Sequence, residues 1–199
     1  MNILIVDNTS PFSIDIVNYV KDLGYTFDYK KYYEIDLDSI SRKKYSHIIL
    51  SGRRENKKEI NIINSKITQQ CLRNDVSLLG ICYGAEIISL TLGGTLGRLQ
   101  YHLQDTISIR IFQPNSFLPD NQFLKVYESH GFFISKVPPS FETIAESDYC
   151  EHEIVKHKNK NIIGTQFHPE KSDKDGYLIF SQFLKNDNTT LSYDNKSFI

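Results

Sequence analysis

The chain has 199 residues, 40% of them hydrophobic and 24% charged, with a formal net charge of −1. That length and mixture fit one globular domain with a sizeable core, and the balanced charge offers no basic surplus to nucleic acid or an anionic membrane. No apolar run approaches the roughly 20 residues of a membrane span, the opening residues lack the basic start and cleavage site of a signal peptide, and the sparse set Cys71, Cys82 and Cys150 indicates a reducing compartment rather than a disulfide framework. The expectation is a cytoplasmic protein with neither nucleic acid nor membrane as partner.

Residues 2–6 form a short apolar run ended by Asp7 and Asn8, which reads as a buried strand and turn. Ser10 and Pro11 then supply a helix N-cap and a proline in the first helical position. Phe12, Ile16, Val20 and Leu23 follow at helical spacing, and Gly24 ends the helix. Residues 27–33 are a second strand candidate, and residues 47–50 a third, closed by Ser51-Gly52. Ile60, Ile63, Ile67 and Cys71 mark an amphipathic helix over 57–73. Residues 76–81 are a fourth apolar run, and 84–92 a helix ended by Gly93-Gly94.

This alternation predicts an α/β fold with a doubly wound, mostly parallel sheet. The second half changes character. Short strand candidates at 107–112, 123–127, 141–145, 153–157 and 161–166 are separated by turn residues such as Pro114-Asn115, Pro138-Pro139 and Lys158-Asn159. They predict a smaller antiparallel strand set. A last helix is expected over 177–184. Residues 1–185 read as one domain, and 186–199 as a polar, mobile tail.

The segment Gly80-Ile81-Cys82-Tyr83-Gly84 places a cysteine between two glycines at a strand-to-helix turn. A nucleophile there sits on a sharp bend, with glycines permitting close approach of neighbouring elements. The helix N-terminus favours thiolate over thiol, and the Tyr83 amide would face an oxyanion forming on an attacked carbonyl. A lone cysteine is more often a buried structural one. The later segment Gly164-Thr165-Gln166-Phe167-His168-Pro169-Glu170 weighs against that. A cysteine nucleophile needs a base, and the base a group to orient it. His168 and Glu170, two apart in extended chain, would project to one face and fill both roles. A zinc site has no third or fourth ligand at metal-site spacing.

The Gly-x-Cys-x-Gly elbow with the downstream Gln-Phe-His-Pro-Glu resembles the class I, triad-type glutamine amidotransferases, in an order that also includes the opening ILIVDN, Ser51-Gly52 and Gly93-Gly94. The resemblance covers residues 1–185. It implies a flavodoxin-like amidotransferase architecture and a Cys82–His168–Glu170 triad. It further implies that Gly52, Arg53, Tyr83, Glu86, Ser129, His130 and Gly131 bind the substrate or its oxyanion. Within the family, Cys-Tyr-Gly, Ser129-His130-Gly131 and residues 137–147 resemble the GMP synthase type of glutaminase, while Asp7-Asn8-x-x-x-Phe12 is closer to the anthranilate synthase type. The implied activity is hydrolysis of the glutamine side-chain amide through a cysteine thioester. It needs no metal or organic cofactor. The ammonia would pass to a separate, ATP-dependent synthase subunit, for which a chain of this length has no room.

Two positions depart from the family pattern. Arg53 stands where the family usually has a glycine whose N–H serves the oxyanion hole, and Glu86 where it usually has a substrate-holding glutamine. An ion pair between Arg53 or Arg54 and Glu86 would restore neutrality. The departures also keep two other readings open, a hydrolase of another γ-glutamyl compound and a catalytically altered regulatory protein.

Overall fold

The computed structural model describes residues 2–42, 44–112, 117–118 and 123–185. The expected turn at Pro114-Asn115 and the expected polar tail 186–199 lie outside the described residues. In chain order β1 (Asn2–Asn8), α1 (Ser13–Asp22), β2 (Thr26–Lys31), α2 (Leu37–Ser41), β3 (His47–Arg53), α3 (Lys58–Asn74), β4 (Ser77–Ile81) and α4 (Tyr83–Thr91) alternate. Then come β5 (Thr95–Ile111), β6 (Phe123–Lys136), β7 (Phe141–Glu146), β8 (Ile154–His157), β9 (Ile162–Thr165) and α5 (Asp173–Lys185).

Among the described residues the strands form one sheet of 9 in the order β2-β1-β3-β4-β9-β8-β7-β5-β6. The run from β2 to β9 is parallel, and the rest is antiparallel. The parallel part has the flavodoxin-like doubly wound order, in which ligands sit beyond the carboxyl ends of the strands. The predicted division into a parallel half and an antiparallel extension is therefore present.

Strand periodicity explains the two layers of core. Ile3, Ile5, Ile49 and Leu79 pack with Ile16 and Val20 of α1 and Ile179, Phe180 and Phe183 of α5 on one face. The alternate residues Leu4, Val6, Ile48, Leu50 and Leu78 pack with Ile60, Ile67 and Cys71 of α3 and Ala85 and Ile88 of α4 on the other. Both faces are covered, which is why these strands read as unbroken apolar runs. Among the described residues no helix is long and apolar enough to cross a membrane.

Several elements differ from the sequence expectation. The α1 helix starts at Ser13, with Phe12 at the N-cap and no side-chain cap bond. Ser10 Oγ instead accepts from the Phe12 N–H at 3.2 Å in a turn ahead of the helix. Asp7 does the anchoring, accepting from Ser13 Oγ at 2.6 Å, the Thr9 N–H at 2.8 Å and the Tyr29 hydroxyl at 2.7 Å. The predicted stop holds: Gly24, at φ +80°, closes α1 with bonds from the Gly24 N–H to Lys21 O and from the Tyr25 N–H to Val20 O. The second strand ends at Lys31 because residues 32–34 form a 3-10 turn. The strands β5 and β6 are far longer than expected, pairing as a ribbon whose outward residues are mostly polar, Tyr101, Phe123 and Phe132 excepted, and whose register shifts between Arg98 and Leu103.

The carboxyl ends of β1 and β3 are tied to α3 by a buried polar knot. Asn64 Nδ2 donates to Asn8 Oδ1 at 2.7 Å and to Ile60 O at 2.8 Å, while Asn8 Nδ2 donates to Ser51 O at 3.0 Å. Asn64→Ala leaves the buried Asn8 Oδ1 without its donor, so a loss of about 1–3 kcal/mol is expected as a lowered denaturant midpoint with an unchanged slope.

Candidate active site

Cys82 follows the last residue of β4 and is the N-cap of α4, at φ 52° and ψ −108°. A non-glycine residue at positive φ is strained, and such strain collects at functional turns. The Cys82 N–H donates to Thr165 O at 2.7 Å, tying the bend to β9, and its carbonyl takes the first helical bond, from the Glu86 N–H at 3.0 Å. The flanking glycines are required by space. A Cβ on Gly80 would stand 2.5 Å from the Gly84 carbonyl, and one on Gly84 would stand 2.5 Å from Leu50 O. Only bare backbones let α4 press this closely on β4 and β3.

Beyond β9 the chain turns so that His168 faces the elbow. The His168 N–H donates to Tyr127 O at 2.8 Å, and Ser172 Oγ donates to His168 O at 2.7 Å. The Phe12 ring meets the imidazole edge-on at 5.0 Å. Nδ1 lies 2.8 Å from Glu170 Oε1. The two side chains meet, though not by strand alternation. Proline opens a 3-10 turn over Pro169–Lys171, and that turn folds the carboxylate back beneath the ring. With Nδ1 committed to Glu170, Nε2 is the ring nitrogen left for the Cys82 thiol, and the two groups act on each other electrostatically.

Both reacting groups are buried, Cys82 at 8% and His168 at 3% exposure. Burial works against the imidazolium, but the charges of Glu170 and Cys82 and the hydrogen bond to Glu170 outweigh it and hold His168 well above its usual value. Burial pushes the Cys82 thiol up; the His168 imidazole draws it back down, and the Glu86 and Glu128 carboxyls add to the rise.

The thiol opens on a cavity of about 480 Å³. Arg53, Tyr83, Glu86, Ser129, His130 and Gly131 line it, together with the β5 bulge at Leu99, Gln100, Tyr101 and His102. Gly52 closes the other side of the thiol: a Cβ there would lie 3.0 Å from His168 Cε1 and 3.9 Å from Cys82 Cβ. The ten residues singled out in the sequence are thus gathered around one cleft. They differ in what they offer it. The His130 imidazole is turned inward, with Nδ1 2.7 Å from Phe132 O.

The expected ion pair to Glu86 is not formed. The Arg53 guanidinium stacks 4.0 Å over the Tyr83 ring and donates to Asn56 Oδ1 at 2.8 Å and Asn61 Oδ1 at 2.7 Å. The Tyr83 hydroxyl donates to the same Asn61 oxygen at 2.9 Å. Two asparagines and a ring face satisfy the planar cation where it lies, and Arg54 is exposed. Glu86, 5% exposed, instead receives Gln166 Nε2 at 3.4 Å. Burial raises its pKa, moderated by that amide and by the Arg53 charge. Phe132, at the rim, is 47% exposed.

The sequence did not reveal the residues that hold this site. Gln166 bonds the Ile134 N–H and Phe132 O as well as Glu86. Its place two residues before His168 was the one available signal. Asn56, Asn61, Tyr127 and Ser172 had none.

The profile of the family described as glutamine amidotransferase class-I matches residues 4–186. A glutamine-hydrolyzing GMP synthase subunit from Methanocaldococcus jannaschii is 33% identical over 147 residues, which are 73% of this chain and 76% of that protein. A glutamine-hydrolyzing GMP synthase from Wigglesworthia glossinidia brevipalpis is 29% identical over 198 residues, 92% of this chain, and this chain spans only 37% of its length. The crystal structure of a putative GMP synthase subunit from Thermoplasma acidophilum superposes with a TM-score of 0.81 at 24% identity, over 93% of this chain and 92% of that one.

Proposed function

This chain belongs to the class I glutamine amidotransferases, and from that premise we propose that it hydrolyses glutamine at Cys82 and hands the ammonia to a separate synthase subunit of the GMP synthase type. The observation that carries the chemistry is the buried Cys82–His168–Glu170 arrangement on a strained elbow, with Glu170 Oε1 2.8 Å from His168 Nδ1. The observation that supports the partner is the likeness to proteins named as glutamine-hydrolyzing subunits of GMP synthase.

In this mechanism His168 Nε2 takes the Cys82 proton, and the thiolate attacks the side-chain carboxamide carbon of glutamine. The oxyanion meets the Tyr83 N–H at the start of α4 and the Arg53 N–H at the end of β3. His168 returns its proton to the nitrogen, ammonia leaves, and a glutamyl thioester remains. Water, deprotonated by the same imidazole, then releases glutamate. Glu170 holds the Nδ1 tautomer and stabilises the imidazolium. Glu86 sits where it can accept from the substrate's nitrogen. With the thiol raised by burial, the glutaminase is expected to be slow alone and to gain rate when a partner reshapes the cleft.

A glutamine-analogue electrophile gives the direct test. Mass spectrometry of the chain, alone and with its synthase, should find one adduct on Cys82 and none in Cys82→Ala. No adduct at Cys82 even with the partner present would count decisively against glutamine hydrolysis. Co-purification with an ATP-pyrophosphatase-type synthase is expected; a chorismate-binding partner would refute the GMP synthase assignment while leaving the glutaminase intact.

A further inference from the structure

Behind the wall of the cleft lies a second group of titratable side chains that the hydrolysis does not use. Glu128 of β6 and Glu153, just ahead of β8, are both 0% exposed, and His130 of β6 is 3% exposed. His130 Nδ1 faces a carbonyl oxygen, that of Phe132, at 2.7 Å; a carbonyl can only accept, so Nδ1 carries its proton. Nε2 lies 3.0 Å from Glu128 Oε2. A neutral imidazole protonated on Nδ1 has nothing to donate from Nε2. Glu128 in turn meets Glu153, carboxyl to carboxyl. Only Glu153 Oε1 has a conventional donor, Ser147 Oγ at 2.6 Å. Both Glu128 oxygens, Glu153 Oε2 and His130 Nε2 have none among the described residues.

Buried acceptors set against one another are untenable unless protons lie between them. Two shared protons fill both gaps, one between Glu153 and Glu128 and one between Glu128 and His130. The three groups then carry no net charge. We propose that Glu153, Glu128 and His130 form a proton-sharing trio that acts as a set of positioning residues, fixing the β6 wall against Cys82 and His168. The same stretch of β6 supplies Tyr127 O to the His168 N–H at 2.8 Å and Ser129 O to the Cys82 thiol at 3.9 Å. His130 and Gln166 together hold Phe132 O at the rim of the cleft. The inference leans on the glutaminase reading only in taking Cys82 as the reactive group.

The titratable groups facing the trio are His168 beyond β9, Cys82 and Glu86 on the α4 side, and Cys150 in the turn before β8, with Arg53 beyond Glu86 and Glu151 beside Cys150. Burial pushes all three members toward their uncharged forms: Glu128 up to about 7, Glu153 well up, and His130 down. When pH rises past that point the trio loses a proton. A negative charge then stands near Cys82 and opposes its thiolate, and two acceptors are left in contact. The folded chain holds a proton that the unfolded carboxyl has already lost, so the contribution of Glu128 to stability falls as pH rises from the ordinary carboxyl range through about 7.

The test compares wild type with Glu128→Gln/Glu153→Gln, whose amides keep the shape and bring their own N–H donors. In infrared spectra at neutral pH, where exposed carboxyls are ionised, the protonated-carboxyl band of the wild type should shrink in the variant. The pH profile of Cys82 alkylation by iodoacetamide, located by mass spectrometry, should move down by about one unit. Unchanged spectra and superimposable profiles in a folded variant overturn the proposal. If the variant does not fold, a wild-type chain that shows no protonated-carboxyl band at neutral pH overturns it as well. None of these readouts depends on glutamine turnover, so failure of the glutaminase reading leaves them decisive.

Discussion

Cys82→Ala is expected to lower glutamate release from glutamine by about 10⁶-fold, and His168→Ala by a comparable factor, with the double variant no worse than either single one. The nucleophile and its base act as a unit. A thiol that burial holds protonated gains little from the enzyme without the imidazole that draws its proton away. Glu170→Gln tests the third member separately. The amide keeps the volume but can offer its N–H to Nδ1, which would place the imidazole proton on Nε2, toward the thiol. A loss of about 10⁴-fold is expected for that wrong tautomer. Each rate is read with the synthase present, alongside circular dichroism to show the chain is folded. A Cys82→Ala chain that keeps a tenth of the wild-type rate would place the chemistry elsewhere.

How much of this could be read beforehand depended on which side of the sheet a residue served. The runs around Ile3, Ile48 and Leu78 are buried on two faces, so they stand out as apolar blocks between helices of regular spacing. The ribbon of β5 and β6 has no such signature. Gln100, Tyr101 and His102 are exposed in succession and Leu103 beside them is buried, so no two-residue alternation marks the strand, and its register is set by partners some 25 to 40 residues away, such as Gln104 with Ser129 and Thr95 with Lys136. The elbow and Gln-Phe-His-Pro-Glu were legible because backbone strain and close packing dictate residue type locally. The buried acids were not. Glu128 and Glu153 look in sequence like any solvent-facing glutamates, since what makes them unusual is one another. Arg53 misled for a related reason: charge complementarity with Glu86 was the natural pairing in one dimension, but Asn61 and the Tyr83 ring lay nearer in three.

Gly176→Ala should be the most damaging substitution outside the triad, because it joins stability to chemistry. Gly176 lies in the first turn of α5, where an added Cβ would fall 1.8 Å from Pro169 O and 2.8 Å from Pro169 C. Both atoms are backbone, so no rotamer change relieves the overlap. Either α5 lifts, uncovering Ile179 and Phe180 from the core, or the Pro169–Lys171 turn moves and carries Glu170 off His168. Overpacking of this severity costs about 3 kcal/mol, seen as a lowered denaturant midpoint. The rate should fall in parallel toward that of Glu170→Gln. Gly24→Ala is the control: its Cβ meets nothing within 4 Å, but its φ of +80° strains any alanine. It should lose stability, by about 1 kcal/mol or more, while the folded enzyme keeps its rate. If Gly176→Ala lost stability without losing rate, the turn would be tolerant, and the short contact between Glu170 and His168 would owe nothing to the packing of α5 beneath it.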